Sequence, residues 1–411
     1  MSDDAAGPRT TVLGKLVIFL FVGTCAAGAW WVLKGRGGDT PTVGGTQPGT
    51  GTTPVASGGN SGGNSGGAKV AVGLAYGTEK KRWLEWAVLE FAKTPAGQGI
   101  EVQLIPLGSL EGAQALLKGD QRIAAWSPAS SLYKASFLQD WQVKYSTQPI
   151  AKEEMLALTP MVFVWWAERQ SAFAAKYGAT SFKTVGTALA EKTGWAGIAK
   201  KPEWGLFKFG HTNPNQSNSG LVTLVSMAYE YHGKSRGLAL ADILDNGFQQ
   251  WLDGVEAGVT GMSNSTGTMM KEMVLKGPSA FDCLFVYESV AIDYLKNAEG
   301  RWGELRIEYP IHNLWNDNPY YVIDAPWVTP AQRKAAEAFL TYLLTEPVQR
   351  QALVHGLRPG NPEVGVRFAD SPFETMQRYG LRNDLSAVAE NPSPEVVANL
   401  LATWQRSRGN R

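Results

Sequence analysis

Hydroxyl residues recur where a short apolar run gives way to a helical pattern: Thr78, Ser109, Ser127, the Ser217-Asn218-Ser219 triplet and Ser289. A helix start carries free backbone N–H groups and the positive end of the helix dipole, so each position could hold an anion or a polar ligand. One such cap usually only caps. Several of them, spread over two α/β halves, could converge on one small ligand. Glu79 and Glu288 stand beside these positions. Facing inward they would repel a tetrahedral oxyanion and suit a cation, a metal chelate or a sugar. Otherwise Glu79 serves its helix dipole and Glu288 is a solvated cap. Trp126, Trp165, Trp166 and Trp327 keep sugar stacking open.

Other strings resemble enzyme motifs without their context. Ser131-Leu-Tyr-Lys134 and Lys192-Thr-Gly194 have penicillin-recognising forms, but no Ser-x-Asn element lies between them. Gly233-Lys-Ser235 ends like a phosphate loop, yet Ala228 stands where that loop needs Gly. His211 reads as a structural hydrogen-bonding residue and Cys283 as an inert residue in a buried strand. Two cysteines and four histidines exclude a disulfide framework and disfavour a zinc site. No cofactor and no metal ligands are expected.

The elements that must position the caps follow from pattern. Lys69–Tyr76, Ile100–Ile105 and Arg122–Trp126 read as buried strands. Helices follow them: one over Glu79 to about Lys93, one from Ser109 to Gly119, and one opened by Ser127-Pro128. Three strand–cap–helix units imply a parallel α/β sheet whose functional edge lies at the strand C-termini. Met161–Trp166, Leu206–Gly210 and Ala280–Tyr287 supply further strands. Leu221–Tyr231 and Pro330–Leu344 supply helices, the latter with an apolar stripe of Ala335, Phe339, Tyr342 and Leu343.

With 38 Lys and Arg against 37 Asp and Glu, the chain lacks the basic surplus that nucleic-acid binding needs. Its 411 residues allow two or three domains. Leu16–Leu33 is uncharged and just long enough to cross a hydrocarbon core, with Trp30 and Trp31 at its end. An uncleaved single-pass anchor is the favoured reading, against a lipoprotein at Cys25 or a cleaved signal. All three put the folded body on the periplasmic or extracellular side. Gly35 to Gly67 is a Gly/Ser/Thr/Pro linker expected to be disordered, with a reach of about 30 Å.

A resemblance joins these pieces. Tyr76-Gly-Thr-Glu-Lys-Lys-Arg-Trp-Leu84, Trp126-Ser-Pro-Ala-Ser130 and Gly210-His-Thr-Asn-Pro-Asn-Gln-Ser-Asn-Ser-Gly220 occur in the order found in bacterial extracellular solute-binding proteins. Gly277-Pro-Ser-Ala280, Val286-Tyr-Glu-Ser289, Ala325-Pro-Trp-Val328 and Gly356-Leu-Arg-Pro359 continue it. Over about residues 68–365 the chain is similar to the branch that includes molybdate- and sulfate-binding proteins. That resemblance implies an α/β, two-lobe type II periplasmic binding fold with a hinge, after the transmembrane helix and linker. The implied division is 1–34 anchor or signal, 35–67 linker, 68–158 first part of lobe I, 159–312 lobe II, and 313–411 return to lobe I with C-terminal helices. Crossings are expected near Leu158–Met161 and Glu308–Asn318. The family's oxyanion positions fall on Thr78, Ser109, Ser127, Ser219 and Tyr287, and Trp126, Asn218 and Glu288 complete the candidate ligand set.

The resulting expectation is not an enzyme but a membrane-tethered receptor, which captures a small polar, oxyanion-like ligand by hinge closure. The resemblance implies an ABC permease or a von Willebrand A-type membrane partner. Two alternatives remain at this point. One is a scaffold with a vestigial cleft blocked by its own Trp side chains. The other is an extracytoplasmic hydrolase using Glu79 and Glu288 across the cleft.

Overall fold

The computed structural model describes residues 69–385 and 388–409. The proposed membrane segment Leu16–Leu33 and the linker 35–67 lie outside them. Among the described residues no helix is long and apolar enough to cross a membrane.

Strand β1 (Val70–Tyr76) buries Val72, Leu74 and Ala75 and runs parallel to β2 (Ile100–Pro106) and to β3 (Ile123–Ser127) on its other side. A Cβ at Gly73 would lie 1.9 Å from Arg122 O, so glycine permits the close approach where the β1–β3 register shifts. Helix α1 (Lys81–Phe91) is entered through a 3₁₀ turn at Thr78–Lys80, and α2 (Ser109–Lys118) follows β2. The third helix does not start at Ser127-Pro128. Ser130 Oγ accepts from Leu132 N (3.2 Å) and caps a short 3₁₀ turn, which leads into α3 (Lys134–Tyr145).

Strand β4 (Ile150–Met155) ends the first pass through lobe I, and β5 (Ala157–Leu158) lies in the crossing. In lobe II, β6 (Met161–Trp166) is buried throughout and is followed by α4 (Ala167–Tyr177) and α5 (Phe182–Leu189). The strand expected over Leu206–Gly210 shrinks to β7 (Phe209–Gly210), because Leu206 points to solvent. Then come α6 (Asn218–His232), α7 (Asn246–Gly258), α8 (Thr266–Lys276), β8 (Cys283–Tyr287), α9 (Glu288–Ala298) and β9 (Leu305–Glu308). The chain re-enters lobe I at β10 (Pro319–Ile323).

The lobe I sheet has the order β2-β1-β3-β10-β4, with β10 antiparallel to both neighbours. The lobe II sheet has the order β7-β8-β6-β9. Each sheet has its own buried cluster, one around Trp83, Leu116, Trp126 and Phe339, the other around Phe163, Trp165, Phe285 and Leu252. Helix α10 (Pro330–Leu343) starts with Pro at its first position. Thr329 Oγ1 accepts from Gln332 N (3.2 Å), while Gln332 Oε1 accepts from Thr329 N (3.0 Å). Its buried stripe runs through Ala335, Phe339 and Leu343, and Phe339 meets Phe91 with ring centroids 5.1 Å apart. Truncating Phe339 to Ala should cost about 3–5 kcal/mol.

After α11 (Glu346–Val354) the chain leaves lobe I again. Val364, Phe373, Tyr379 and, on α12 (Pro394–Gly409), Leu400 and Trp404 all pack into the lobe II cluster. The C-terminal residues therefore do not stay with lobe I, as the division at 313 supposes, and the lobes are joined by three crossings. The crossings bond to one another. Residues of β5 pair with β11 (Arg358–Pro359), and Thr159 and Asn316 exchange backbone N–H···O bonds of 3.0 Å each.

Candidate functional site

The sheets' edges and the helix starts after them face each other across a cavity of about 400 Å³. Lobe I lines it with Thr78, Glu79 and Ser109, and lobe II with Asn218, Thr266 and Tyr287. These are starts of helical segments, so unpaired backbone N–H groups and positive dipole ends gather there from both sides. The arrangement suits a small polar or anionic solute.

On the lobe I side, Gly77 N donates to Ser127 O (3.0 Å), which fixes the turn carrying Thr78 and Glu79. Glu79 is ion-paired with Lys80, which is fully buried. Lys80 Nζ also donates to Asn318 Oδ1 (2.8 Å) and Pro128 O (3.3 Å). Three acceptors thus meet the three ammonium protons. Burial pushes the Lys80 pKa down, and the Glu79 charge opposes that shift. Ser109 Oγ accepts from Ala129 N (3.0 Å) and keeps its own proton to donate.

On the lobe II side, Asn218 Nδ2 donates to Tyr287 Oη (2.9 Å) and to Asn316 Oδ1 (2.8 Å), while its buried Oδ1 has no partner among the described residues. Burial, with the Glu79 charge adding to it, pushes the Tyr287 phenol well above its ordinary pKa, so it stays a neutral hydroxyl. A Cβ at Gly220 would lie 2.3 Å from Thr212 O and 2.7 Å from Pro214 N, so glycine lets the 211–217 loop fold tightly over the start of α6.

Four candidate ligand residues line the cavity: Thr78, Ser109, Asn218 and Tyr287. The other four do not. Trp126 is a core residue, its ring 5.0 Å from Phe137 and 5.2 Å from Tyr321. Ser127 is fully buried, and among the described residues its Oγ has no partner. Ser219 Oγ bonds Thr212 Oγ1 (2.6 Å), Ser217 Oγ (3.1 Å) and Thr266 Oγ1 (2.7 Å), and so braces the loops behind the site. Glu288 is neither a solvated cap nor a ligand. Arg358 holds both its oxygens at 2.8 Å, and Tyr309 Oη donates to it as well. The pairing of Glu79 with Glu288 as a hydrolytic dyad is thereby removed.

Nor, among the described residues, does any tryptophan line the cleft. Trp165 and Trp166 are buried in lobe II, and Trp327 Nε1 donates to Ile123 O (3.1 Å) on the far side of lobe I. The cavity is open rather than plugged, against a vestigial cleft. His211 is structural: it is buried, with Nε2 2.8 Å from Glu256 Oε1 and Nδ1 2.8 Å from Thr212 O. Cys283 is buried and its thiol pKa is pushed well up by that burial. Among the described residues no cluster of His, Cys, Asp and Glu could hold a metal.

Several residues in or behind the cleft wall escaped the sequence reading. Lys80 gave only the signal of a basic residue in a helical start. Thr266 and Lys271 come from α8, and Gln216 from the loop before α6. Arg82 and Asp293 also line the cavity, from opposite lobes. No local pattern marks these residues.

Residues 72–358 match the family model described as bacterial extracellular solute-binding protein. A thiosulfate-binding protein from Pseudomonas aeruginosa is 30% identical over 160 residues, which are 38% of this chain and 44% of that protein. The chain thus spans less than half the length of the curated relative it matches. Among solved structures, the sulfate-binding protein SubI from Mycobacterium tuberculosis H37Rv superposes with a TM-score of 0.53 at 13% identity, covering 83% of this chain and 99% of that one. A periplasmic thiamin binding protein gives 0.58 at 11% identity, covering 82% and 96%. Iron-bound HitA from Pseudomonas aeruginosa gives 0.55 at 14%, covering 83% and 99%. At such identities the likeness establishes a shared fold, the two-lobe α/β architecture of periplasmic binding proteins.

Proposed function

The chain belongs to the bacterial extracellular solute-binding proteins, and from that premise we propose that it captures a small oxyanion between its lobes. Proteins of this family bind small solutes outside the cytoplasm, are not enzymes, and typically work with ABC transporters. For this chain the reading rests above all on one observation. Helix starts from both lobes open onto a single cavity, bringing the hydroxyls of Thr78, Ser109 and Tyr287 and the backbone donors beside them to one place. The ion pair of Glu79 with Lys80 leaves the inner wall without net charge, and Lys271 adds a cation at the rim. The names of the thiosulfate- and sulfate-binding relatives fit that ligand class.

Closure follows from the three bonded crossings, which form a hinge about which the lobes move as bodies. Leu16–Leu33 tethers the body to the membrane and the linker lets it reach a permease or another membrane partner. Both features rest on sequence pattern alone. Membrane fractionation of the full chain, against a variant with Leu20 and Phe21 replaced by Asp, tests the tether.

Thermal unfolding of the full chain with sulfate, thiosulfate, phosphate, molybdate, iron, thiamin, amino acids and sugars tests the ligand class. An oxyanion at about 100 times its Kd should stabilise by about 2.7 kcal/mol, an upward shift of a few degrees in Tm. A shift with thiamin, iron or sugars alone would overturn the oxyanion reading.

A further inference from the structure

Asn318 stands in the second crossing with a backbone φ of 37°, in the left-handed region that asparagine tolerates better than most side chains. Its backbone is bonded within lobe I. Asn318 N donates to Ala129 O (3.2 Å), just after β3, and Asn318 O accepts from Leu156 N (3.2 Å), just after β4. Two positions earlier the chain is bonded to lobe II. Asn316 Oδ1 accepts from Asn218 Nδ2 (2.8 Å), and Asn316 exchanges backbone bonds with Thr159, whose Oγ1 accepts from Ser289 N (3.1 Å) on α9. Between these anchors no backbone–backbone bond holds Asp317 among the described residues, although its Oδ1 accepts from Ser131 N (2.8 Å). The backbone of the second crossing can therefore swivel at Asp317.

One side-chain bond spans that swivel: Asn318 Nδ2 donates to Asn316 O (2.8 Å). The amide can be set only one way round, because Lys80 Nζ carries donors alone and takes Asn318 Oδ1 (2.8 Å). Lys80 follows Thr78 and Glu79 of the lobe I wall, and at the other end Asn218 holds Tyr287 of the lobe II wall (2.9 Å). Lys80, Asn318, Asn316 and Asn218 are all buried, so these bonds are shielded from water. An unbroken run of buried hydrogen bonds thus joins the two walls of the cavity through the crossing.

We infer that Asn318, its amide oriented by Lys80, is a positioning residue: it clamps the second crossing across Asp317 and holds the walls at the separation where donors of both lobes reach one ligand. For its effect on binding the inference rests on the anion capture proposed above, whereas the clamp itself rests on the bonds through the crossing. Without the clamp, the competent arrangement is a smaller fraction of the population, and apparent affinity falls by that fraction.

Double electron–electron resonance on the full chain tests this, with nitroxides on Leu89→Cys in lobe I and Leu206→Cys in lobe II, both exposed positions, and with Cys25→Ser to remove a competing thiol. Asn318→Gly keeps the left-handed turn and removes the amide. Asn318→Asp is isosteric, still accepts from Lys80 and lacks the N–H for Asn316 O, and it remains a test if Asn318→Gly does not fold. Both should broaden the lobe-to-lobe distances, raising the share of molecules away from the wild-type separation about three- to tenfold, the worth of one buried hydrogen bond. Affinity for sulfate and thiosulfate, measured by calorimetric titration, should fall by a similar factor. Broadening in Asn318→Asp separates the clamp from a mere loss of the partner of Lys80, since that partner is retained. Wild-type distances in both variants, or broadened distances with undiminished affinity, would overturn the inference. A folded wild-type protein that binds no oxyanion would overturn the anion reading instead, and the distances would still decide the clamp.

Discussion

Arg82 on α1 and Asp293 on α9 meet across the mouth of the cleft, with Nη1 3.2 Å from Oδ1. The pair joins the two lobes beyond the hinge, and both residues line the cavity. Asp293 is the more enclosed partner, its side chain 24% exposed against 56% for Arg82. Burial pushes the Asp293 carboxyl up, and the Arg82 charge offsets that only in part.

An asymmetry between the two partners is therefore expected. Arg82→Ala leaves an enclosed carboxylate without its cation and opens the cleft. Asp293→Asn removes the charge that burial penalises and costs less. With a partly exposed pair the coupling should be only about 0.2–1 kcal/mol, so ligand dissociation should quicken about two- to fivefold in Arg82→Ala and less in Asp293→Asn. Stopped-flow dissociation of the ligand found by thermal screening measures it, and equal effects from both variants would contradict the reading of Asp293 as the penalised partner.

Tyr287 offers a cleaner separation of binding from folding. Tyr287→Phe keeps the ring in place and removes the hydroxyl that faces the cavity and accepts from Asn218 Nδ2. Asn218 retains Asn316 as its other acceptor. Unfolding free energy should fall by only about 1 kcal/mol, while affinity for a bound anion should drop about tenfold or more, the loss of a hydrogen bond to a charged group. Calorimetric titration and denaturant unfolding on the same preparation check both halves. Unchanged affinity would remove Tyr287 from the ligand shell.

Arg358 carries the hinge. It holds Glu288 with two bonds of 2.8 Å and donates to Asn383 O and Arg382 O (2.6 Å each), so it ties the third crossing to the start of α9 and to the C-terminal segment. Arg358→Met would leave Glu288 charged and fully buried, with Tyr309 as its one remaining side-chain hydrogen-bond partner among the described residues. That should cost about 3–5 kcal/mol, whereas Arg358→Met/Glu288→Leu should recover most of the loss. Denaturant unfolding of both variants decides it. A double variant no better than the single one would mean that the backbone contacts of Arg358 matter more than the ion pair.

How far the sequence carries is visible in these residues. Thr78, Ser109, Asn218 and Tyr287 were legible because a strand end followed by a helix start is a local pattern, and the fold brings such junctions to one edge. Trp126 and Ser127 sit at the same kind of junction yet point into the core, since alternation along β3 is hidden when both faces are buried. Glu288 looked like a cap until Arg358, seventy positions away, supplied its partner. The insertion of β10 between β3 and β4 and the passage of residues after Val364 onto lobe II likewise depend on long-range pairing. Lys80, Arg82 and Asp293 owe their roles to contacts across crossings or lobes, and periodicity carries no trace of those.

The last of these long-range contacts sets a pH dependence. Glu256 on α7 is buried and receives Trp404 Nε1 (2.7 Å) and Arg408 Nη2 (3.2 Å) from α12, with His211 on its other oxygen. Burial pushes the Glu256 carboxyl up, but His211, Trp404 and Arg408 outweigh it and hold the pKa below the ordinary carboxylate value. The unfolded chain then binds this proton more readily than the folded one. The resulting stability is complete above the ordinary carboxylate range and is lost as pH falls through the lowered pKa. Docking of α12 should weaken in that acid window, and Trp404 fluorescence should report it before the lobe I sheet unfolds. Glu256→Gln should be less stable at neutral pH, because Arg408 loses its counter-charge and His211 Nε2 its carboxylate partner, and its Trp404 signal should be flatter in acid. A wild-type acid transition unchanged by Glu256→Gln would place the titrating group elsewhere.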